Sequence, residues 1–478
     1  MSLRAGNRPA PHEISPMPDA AALPVLRAID DALALAAVAA AQRHDDAEPA
    51  ALTIAVGLSG GRDSMVLLDA LASAASAHRV TLSAVHVHHG LSTRADEWAA
   101  FCASGCAQRA VPLTVHRVRV DSVAELGTEA AARAARYRVF AAVDAAFVAL
   151  AHHAGDQAET LLLQLLRGSG PHGLAAMPRL RRLHSGPALL RPFLALPDAT
   201  IADYAKARGL AWVEDESNAD VSLKRNFVRH EIAPRLAAAF PGYPAALARA
   251  AEHQAEAALL QDDLAALDAR DALVTEPGHG AMLDRRAFVA LAAHAPHRAK
   301  NLLRWFVRQH GLRAPSTARL DAMQQQLAHA AEDARVRLAL DGAEIGVHRG
   351  RIVVHAPAIP PFAADWHGET ALTLPHGVLE FAPIAGAGLA AAMLSSASVV
   401  IRPRSGGERL RVERDRPRQA VKRLLQAAGV PHWQRDTLPF VWCGDALAAV
   451  PGLGVDVAFA AGAGEPGFDL RWHPAATA

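Results

Sequence analysis

A six-residue motif, SGGRDS at residues 59–64, lies between the apolar run Leu52–Leu58 and a stretch whose apolar residues recur at helical spacing. A buried strand that passes through a glycine turn into a helix directs free backbone N–H groups and the positive end of the helix dipole at one point. Such a point binds an anion, and we expect a phosphate there. No lysine follows the glycines, so the motif is not a Walker loop. The residues expected to contact the phosphates are Ser59, Gly60, Gly61, Arg62, Asp63 and Ser64.

The chemistry of this motif suits a nucleotide. Gly60 and Gly61 leave no side chain between the backbone and a ligand, and Asp63 places a carboxylate where a phosphate-bound Mg²⁺ would lie. The motif resembles the PP-loop of the ATP pyrophosphatases, which split ATP into AMP and pyrophosphate while they adenylate a carbonyl or carboxyl oxygen. A capped helix after a tight turn is the structural alternative. The surrounding motifs decide between the two.

Strands and helices alternate around the motif, which predicts an α/β fold with a doubly wound, mostly parallel sheet. In such a sheet, ligands bind at the carboxyl ends of the strands. Two polar segments, residues 59–64 and 152–160, each follow a strand, so we expect them to meet at one crevice. The predicted strands are Leu52–Leu58, Val80–Val87, Leu113–Val118 and Phe147–Ala151, and the predicted helices are Asp63–Ala77, Arg94–Ala110, Glu129–Asp144 and Gln157–Arg167.

The chain of 478 residues is too long for one hydrophobic core and suggests two or three domains. Residues 1–22 look like a loose tail, and residues 23–240 hold the alternating pattern. After a Pro-Gly break near residue 240, residues 245–356 predict a mainly helical middle domain. Proline and glycine at residues 357–383 predict a linker or a loose β segment, and residues 393–470 a small α+β domain.

Composition excludes several classes of protein. Three cysteines, without Cys-x-x-Cys spacing, are too few for a disulfide framework and give no zinc or redox pattern. The N-terminus lacks the apolar core of a signal peptide, and no apolar run is long enough to span a bilayer. We therefore expect a soluble cytoplasmic protein without a membrane partner. The net charge of +1 identifies no partner, although the basic residues are unevenly placed.

A second polar segment, HHAGDQAET at residues 152–160, opens a helix after the fourth predicted strand. Asp156 and Glu159 are three residues apart, so both lie on the first turn and could hold Mg²⁺ or orient ATP opposite Asp63. The same spacing is also typical of a capping box, which needs no ligand. The sequence leaves both interpretations open.

Two further segments could line the crevice. His86 ends the second predicted strand and could lie beside the adenine or the phosphates, although a histidine bonded locally in a turn is the alternative. Arg133 and Arg136 follow Glu129 at helical spacing. Either arginine could neutralise charge on the phosphates during adenylation, and a solvated Glu–Arg pair is the competing interpretation.

Taken in order, the segments SGGRDS, HVHHGL, GTEAAARAARYRVF, HHAGDQAET, LLRGSGPHGLAAM and EDESNADVSLKRNFVRHEIAPRL resemble the tRNA(Ile)-lysidine synthetase family. The resemblance continues through the middle and C-terminal regions, so it covers most of the chain from about Leu52 onward. It implies an enzyme that uses ATP to activate the 2-carbonyl of the wobble cytidine in an isoleucine tRNA with the anticodon CAU. The ε-amine of free L-lysine then displaces AMP, which gives lysidine.

The resemblance also implies roles for particular residues. The phosphate loop would bind ATP, with Asp63 and Asp156 facing Mg²⁺. Gly155 stands where relatives often carry an acid or amide, so the number of metal-coordinating carboxylates is open. The implied catalytic residues are Asp63, Arg133 or Arg136, His153, Asp156 and Glu159, and those near the RNA are Arg225, Asn226 and Arg229.

A basic segment near the C-terminus predicts further contacts with tRNA. Its closely spaced arginines and lysine have few acids between them, which is the charge pattern that binds a phosphate backbone. A solvated surface is the alternative. The tRNA-binding residues expected here are Arg402, Arg404, Lys422 and Arg435.

Other functions remain to be compared with this one. A thiolating PP-loop tRNA enzyme would bring sulfur-handling cysteine pairs, which this chain lacks, and a glutaminase-linked synthetase would need a cysteine in a suitable context. A nucleotide-sensing or RNA-binding module would not need metal-facing acids on two crevice walls. The sequence leaves a homodimer open and does not identify the lysine-binding residues.

Overall fold

The computed structural model describes residues 20–42, 52–121, 127–183, 186–275, 280–330, 336–357 and 360–474. Contacts between α carbons divide the chain into two compact units, Met1–Leu260 and Gln261–Ala478. Residues 1–19 of the tail expected at residues 1–22 lie outside the described residues. In the described part of the chain, no helix has the length and apolar character needed to cross a membrane.

The first unit contains one six-stranded sheet with the strand order β3-β2-β1-β4-β6-β5. Every neighbouring pair is parallel except β5 and β6, which are antiparallel. The strands are β1 Leu52–Gly57, β2 Val80–His88, β3 Leu113–Arg117, β4 Phe147–Ala149, β5 Leu180–Arg181 and β6 Ala188–Leu190. The main helices are α1 Leu23–Ala41, α2 Arg62–Ala75, α3 Ala95–Ala107, α4 Thr128–Ala141, α5 Ala154–Leu166, α6 Pro171–Leu174 and α7 Asp198–Ala207.

Helices cover both faces of this sheet because the side chains of its central strands alternate. Ile54 and Val56 of β1 are fully buried and pack in a core that includes residues of α1, α2, α3 and α7. Ala55, between them, joins a second core on the opposite face with Phe140 of α4. Successive residues of a strand point to opposite faces, so one apolar run serves both cores. The predicted doubly wound fold is confirmed.

A series of helices follows the sheet. A 3₁₀ turn at Glu216–Ala219 precedes α8 Lys224–Phe227, a π-helical turn at Val228–Ile232 and α9 Ala233–Ala239. The long helix α10, Tyr243–Ala272, continues into the second unit, as the alanine-rich sequence after the Pro-Gly break predicts. The π turn matters for the site below because it carries Arg229.

The second unit begins with a helical region and a five-stranded sheet of order β7-β8-β11-β10-β9. Its core is formed by apolar residues of the helices and the sheet, such as Phe306 and Ile345. The helices are α11 Arg285–His294, α12 Pro296–Gln309 and α13 Thr317–His329. The strands are β7 Leu273–Val274, β8 Met282–Asp284, β9 Arg337–Leu340, β10 Ala343–His348 and β11 Arg351–His355.

The rest of the second unit is mostly antiparallel β structure with three short helices. Two sheets have the orders β12-β16-β19-β20-β21 and β13-β14-β22-β15, and β17 pairs with β18. The strands are β12 Ala364–Trp366, β13 Ala371–Leu374, β14 Gly377–Ala385, β15 Leu389–Ala390, β16 Val399–Arg402, β17 Arg409–Leu410, β18 Gln419–Ala420, β19 Phe440–Cys443, β20 Ala446–Val450, β21 Gly454–Val455 and β22 Pro466–Pro474. The helices are α14 Ala391–Ser395, α15 Val421–Ala427 and α16 His432–Arg435.

The segment at residues 357–383 differs from its expected form as a linker or loose β segment. It contains β12, β13 and most of β14, and Leu379 and Phe381 are fully buried in the core of this region. Leu379 and Phe381 alternate with exposed or half-buried residues, which is a strand pattern. The proline and glycine content of the segment led to the prediction of a linker, because the alternation is short. In the structure, antiparallel pairing of β14 with β22 stabilises the strand.

Candidate active site

The phosphate loop joins β1 to α2 and is closed by the side chain of Ser64. Its Oγ accepts hydrogen bonds from the backbone N–H groups of Ser59 at 3.3 Å and Gly60 at 3.2 Å, and donates to the carbonyl of Gly61 at 2.9 Å. Gly60 has a φ of +90°, and a Cβ there would lie 2.9 Å from Val213 Cγ2. Only glycine adopts this conformation without strain and leaves room for the neighbouring valine.

Four polar side chains converge beside this loop. Arg62 Nε bonds Asp63 Oδ1 at 2.8 Å, and Arg62 Nη2 bonds Asp198 at the start of α7. The buried imidazole of His153 brings its Nε2 within 3.8 Å of Asp63 Oδ2 and 3.6 Å of Asp198 Oδ1. Ligand atoms of Asp63, His153 and Asp198 all lie within 4.8 Å of one another, which is close enough to share one metal ion.

The second predicted segment begins α5 with a capping box. The backbone N–H of His153 donates to Asp156 Oδ2 at 3.1 Å, and the backbone N–H of Gly155 donates to His153 Nδ1 at 3.0 Å. Since Nδ1 accepts that bond, the neutral ring carries its proton on Nε2, which faces the carboxylates. Asp156 Oδ2 also lies 3.6 Å from His153 Nε2. His153 therefore lies between Asp63 and Asp156, which are 93 positions apart in the sequence.

Two arginines hold the acids of α5. Glu159 accepts from Arg229 Nε at 2.6 Å, Arg229 Nη2 at 2.9 Å and Arg225 Nε at 3.0 Å. Asp156 Oδ1 accepts from Arg229 Nη2 at 2.9 Å and from Arg225 Nη2 at 3.4 Å. Both carboxylate side chains are largely buried, at 13% exposure for Asp156 and 7% for Glu159. Buried carboxylates need such partners, because unpaired charge in the interior is costly.

Burial and charge oppose each other at Asp156 and His152. Burial raises the pKa of the Asp156 carboxyl, but His153 and Arg225 lower it, and the net pKa lies below its ordinary value. Burial lowers the pKa of His152 to about 3 against the opposing effect of Asp156, and nearby arginines, including Arg191, lower it further. The structure therefore favours a charged Asp156 and a neutral His152 at neutral pH.

Gly155 is in close contact with the imidazole of His153. A Cβ at this position would lie 2.7 Å from His153 Cε1 and 3.1 Å from Nδ1. The ring thus occupies the space that a side chain at residue 155 would need. The glycine and the inward position of His153 are linked by packing.

His86, Arg133 and Asn226 each have a partner within the protein. His86 is buried and its Nδ1 donates to the carbonyl of Leu58 at 2.9 Å, directly before the phosphate loop. Arg133 Nη2 donates to Tyr137 Oη at 3.0 Å. Asn226 is buried and its side-chain amide donates to the carbonyl of Asp220 at 3.0 Å. Their expected roles in ligand binding stay predictions.

The basic residues expected to contact RNA near the C-terminus lie in the second unit. Arg402 places its guanidinium carbon 4.2 Å from the centre of the Trp442 ring, and Arg435 Nε donates to the carbonyl of Val430 at 2.7 Å. Lys422 is exposed and Arg404 half-buried. Their role in RNA binding stays a prediction.

The sequence analysis gave no role to three residues of the site, although His152 lies in a segment that it placed at the crevice. Asp198 is the first residue of α7, which follows β6 in the chain. His152 and Arg191 lie beside each other, and Arg191 Nε donates to His152 Nδ1 at 3.3 Å. The strand before Arg191 has only three residues, Ala188–Leu190, and residues 184–185 before it lie outside the described part. In the sequence, only a short apolar run, Ala188–Leu190, followed by the polar Arg191 indicates this strand, and such a short run does not identify a strand.

Comparisons with known proteins match most of the chain. A PP-loop domain model matches residues 36–236, a TilS substrate binding domain model matches residues 287–353, and a TilS substrate C-terminal domain model matches residues 399–472. The tRNA(Ile)-lysidine synthase of Nitrosomonas europaea is 42% identical over 428 residues, covering 88% of this chain and 92% of the relative. The proteins of the same name from Chromobacterium violaceum, 42% identical over 434 residues, and Azoarcus sp., 40% identical over 423 residues, each match 88% of this chain and cover 95% and 92% of their own lengths.

Proposed function

This chain belongs to the tRNA(Ile)-lysidine synthase family, and we propose that it ligates free L-lysine to the wobble cytidine of an isoleucine tRNA with the anticodon CAU. The cytidine 2-oxygen attacks the α-phosphorus of ATP, and pyrophosphate leaves. The ε-amine of lysine then attacks C2 of the adenylated cytidine, and AMP leaves. The protein would work in the cytoplasm, and a homodimer remains an open part of the proposal.

One observation carries this proposal: the convergence of two acidic helix starts on His153. Asp63 Oδ2 and Asp156 Oδ2 lie 3.8 and 3.6 Å from the same ring nitrogen, although they come from separate helices. The phosphate loop adds the N-terminus of α2, which attracts phosphate oxygens. Membership of the PP-loop family implies the use of ATP. A crevice with a phosphate cradle on one wall and carboxylates on both walls suits adenylation.

We assign Mg²⁺ to the carboxylates beside the loop. Mg²⁺ binds through one or two protein carboxylates and completes its shell with waters and substrate phosphates. Asp63 and Asp198 fit that donor set, and His153 lies beside them with Nε2 facing both carboxylates. Asp156 stays a predicted ligand through Oδ2, because Oδ1 is engaged by Arg229. The ion would neutralise charge on the phosphates.

The tRNA would be held by cations and would present an unstacked base. We assign the phosphate backbone to the basic segment of the second unit and the reacting cytidine to the crevice of the first. Backbone contacts of this kind position an RNA without reading its sequence, so loop bases and tRNA shape supply the selectivity. The residues assigned to RNA are Arg225, Asn226 and Arg229 in the first unit and Arg402, Arg404, Lys422 and Arg435 in the second.

The test is incorporation of labelled lysine into bulk tRNA with ATP, followed by identification of the labelled tRNA by mass spectrometry of its nucleosides. We expect lysidine in an isoleucine tRNA and equal amounts of AMP and pyrophosphate. Asp63→Asn should abolish cytidine adenylation and leave tRNA affinity nearly unchanged. Full activity of that variant, or a sulfur-containing product, would refute the proposal.

A further inference from the structure

Arg191 is an arginine in the interior of the first unit with neutral partners. Its side chain is among the largest that are fully buried, and the residue is 1% exposed. Nη1 donates to the carbonyl of Pro178 at 2.7 Å, and Nε donates to His152 Nδ1 at 3.3 Å. Within the described ranges, no acid forms an ion pair with it. A buried cation without a carboxylate is costly, which indicates a specific use.

The bond from Arg191 determines which nitrogen of His152 carries the proton. A guanidinium group has donors only and stays protonated. His152 Nδ1 must therefore accept, and the neutral ring must hold its proton on Nε2. His152 is only partly buried, and its Nε2 is not among the atoms that are both buried and unpaired in the described structure. In the described structure Nε2 has no hydrogen-bond partner, so a ligand can reach this N–H.

His152 lies at the edge of the sheet where the other site residues meet. It follows β4, which pairs with β1, and β1 leads into the phosphate loop. The next residue, His153, contacts Asp63 and Asp156. A donor at this edge therefore lies next to the residues around which the proposed function places ATP.

We propose that Arg191 is a positioning residue that fixes His152 as an Nε2–H hydrogen-bond donor to a phosphoryl oxygen of the bound nucleotide. The inference rests on the proposed function for the identity of the ligand, but not for the protonation state of His152. Arg191 itself does not touch the substrate. It acts by holding one ring nitrogen as an acceptor, so that the opposite nitrogen presents its proton.

The protonation state is tested by nuclear magnetic resonance on protein labelled with ¹⁵N-histidine, without ATP or tRNA. The His152 signals are assigned by their loss in His152→Gln. We expect the Nε2–H form in the native protein and a mixture of both neutral forms in Arg191→Met. Arg208→Met is the matched control, since it removes an arginine from buried Asp69, which keeps Arg109 and Tyr204. This control should leave the His152 signals unchanged, and an Nδ1–H form in the native protein overturns the proposal.

The catalytic part is tested by pyrophosphate release with ATP and tRNA. The amide nitrogen of a glutamine reaches the position of Nε2, whereas that of an asparagine lies near Nδ1. We therefore expect His152→Gln to retain most of the rate, and His152→Asn and Arg191→Met to lose at least about tenfold in kcat, toward the roughly 10²–10³ cost of removing an oxyanion donor. Equal rates in the glutamine and asparagine variants overturn the catalytic part.

These measurements test the proposed function and the role of Arg191 separately. They also remain informative if the Arg191→Met variant does not fold. If the native protein releases no pyrophosphate with any tRNA, the proposed function fails, while the resonance experiment still decides the role of Arg191. If Arg191→Met does not fold, the native spectrum and the paired substitutions at His152 decide it. If Arg191→Met folds, loses activity and keeps the Nε2–H form of His152, then Arg191 has only a structural role and the proposal is wrong.

Discussion

Replacing Arg229 by methionine distinguishes an arginine that serves the protein's own carboxylates from one that serves only RNA. Arg229 makes two bonds to Glu159 and one to Asp156, at 2.6 to 2.9 Å. A hydrogen bond to a charged group contributes roughly 1.5–3 kcal/mol. The total is reduced because the side chain of Arg229 is 36% exposed and Arg225 still bonds both acids. We therefore expect a loss of about 2 kcal/mol in unfolding free energy without RNA.

Hydrogen exchange of the backbone amides in β1 and β4 measures this loss within the first unit, where a single unfolding transition of the whole chain need not apply. Arg119→Met is the control, since Arg119 forms an exposed pair with Asp121 at 3.7 Å and should change stability by less than about 0.5 kcal/mol. A double-mutant cycle with Glu159→Gln should give a coupling of about 1–2 kcal/mol. If Arg229→Met matches the control and only tRNA affinity falls, the carboxylate-holding role is wrong.

The same variant has a defined pH dependence. The folded pKa of Asp156 lies below its ordinary value of 3.8, so its contribution to stability is complete above the unfolded pKa and is lost as the pH falls through the folded pKa. Because Arg229 bonds the ionised Asp156, the stability difference between native protein and Arg229→Met should be largest near neutral pH and shrink below about pH 4, where Asp156 takes up a proton. A difference that grows on acidification contradicts the assignment.

Three further predictions follow from the site and the core. Asp198→Asn should raise the Mg²⁺ concentration needed for half-maximal pyrophosphate release by about tenfold, as one lost ligand of a shared ion would; an unchanged Mg²⁺ titration removes Asp198 from the site. Gly155→Ala should displace the ring of His153, because its Cβ would lie 2.7 Å from Cε1, and lower kcat with a folded protein; a crystal structure with the ring in place would contradict this. Burial raises the pKa of Cys102 to about 12, so it should react with a thiol reagent only after unfolding, as labelling and mass spectrometry can measure.

The sequence predicted the fold class well because its strands and helices have regular periods. The apolar run of β1 and the glycine turn after it are local properties, and the structure places that strand at Leu52–Gly57 against an expected Leu52–Leu58. The pairing of β5 with β6 was not predictable in the same way. These strands have two and three residues, so their existence depends on neighbours rather than on a sequence pattern.

The candidate site shows a similar division. The convergence of Asp63 and Asp156 could be inferred, because both follow parallel strands whose carboxyl ends share one edge. The partners of those acids could not, because Arg225 and Arg229 lie about 70 residues further along the chain and an isolated arginine gives no sign of which acid it will contact. Capping and ligand binding were also treated as alternatives for Asp156. The structure combines capping with the site, since Oδ2 both caps α5 and faces His153.

The balance of charge explains why the site suits a cation and a polyanion together. The paired side chains beside the loop include one more carboxylate than guanidinium groups. His153 is counted as neutral, because its Nδ1 accepts a hydrogen bond from the backbone N–H of Gly155. The carboxylates are Asp63, Asp156, Glu159 and Asp198, and the guanidinium groups are Arg62, Arg225 and Arg229. The excess negative charge lies at Asp63 and Asp198, because both acids of α5 are held by arginines. A divalent cation bound there would make the crevice positive overall, which is the charge that ATP requires. Replacing Arg225 or Arg229 should therefore weaken ATP binding and lower stability. A second substitution that neutralises Glu159 should restore part of the lost ATP affinity and stability.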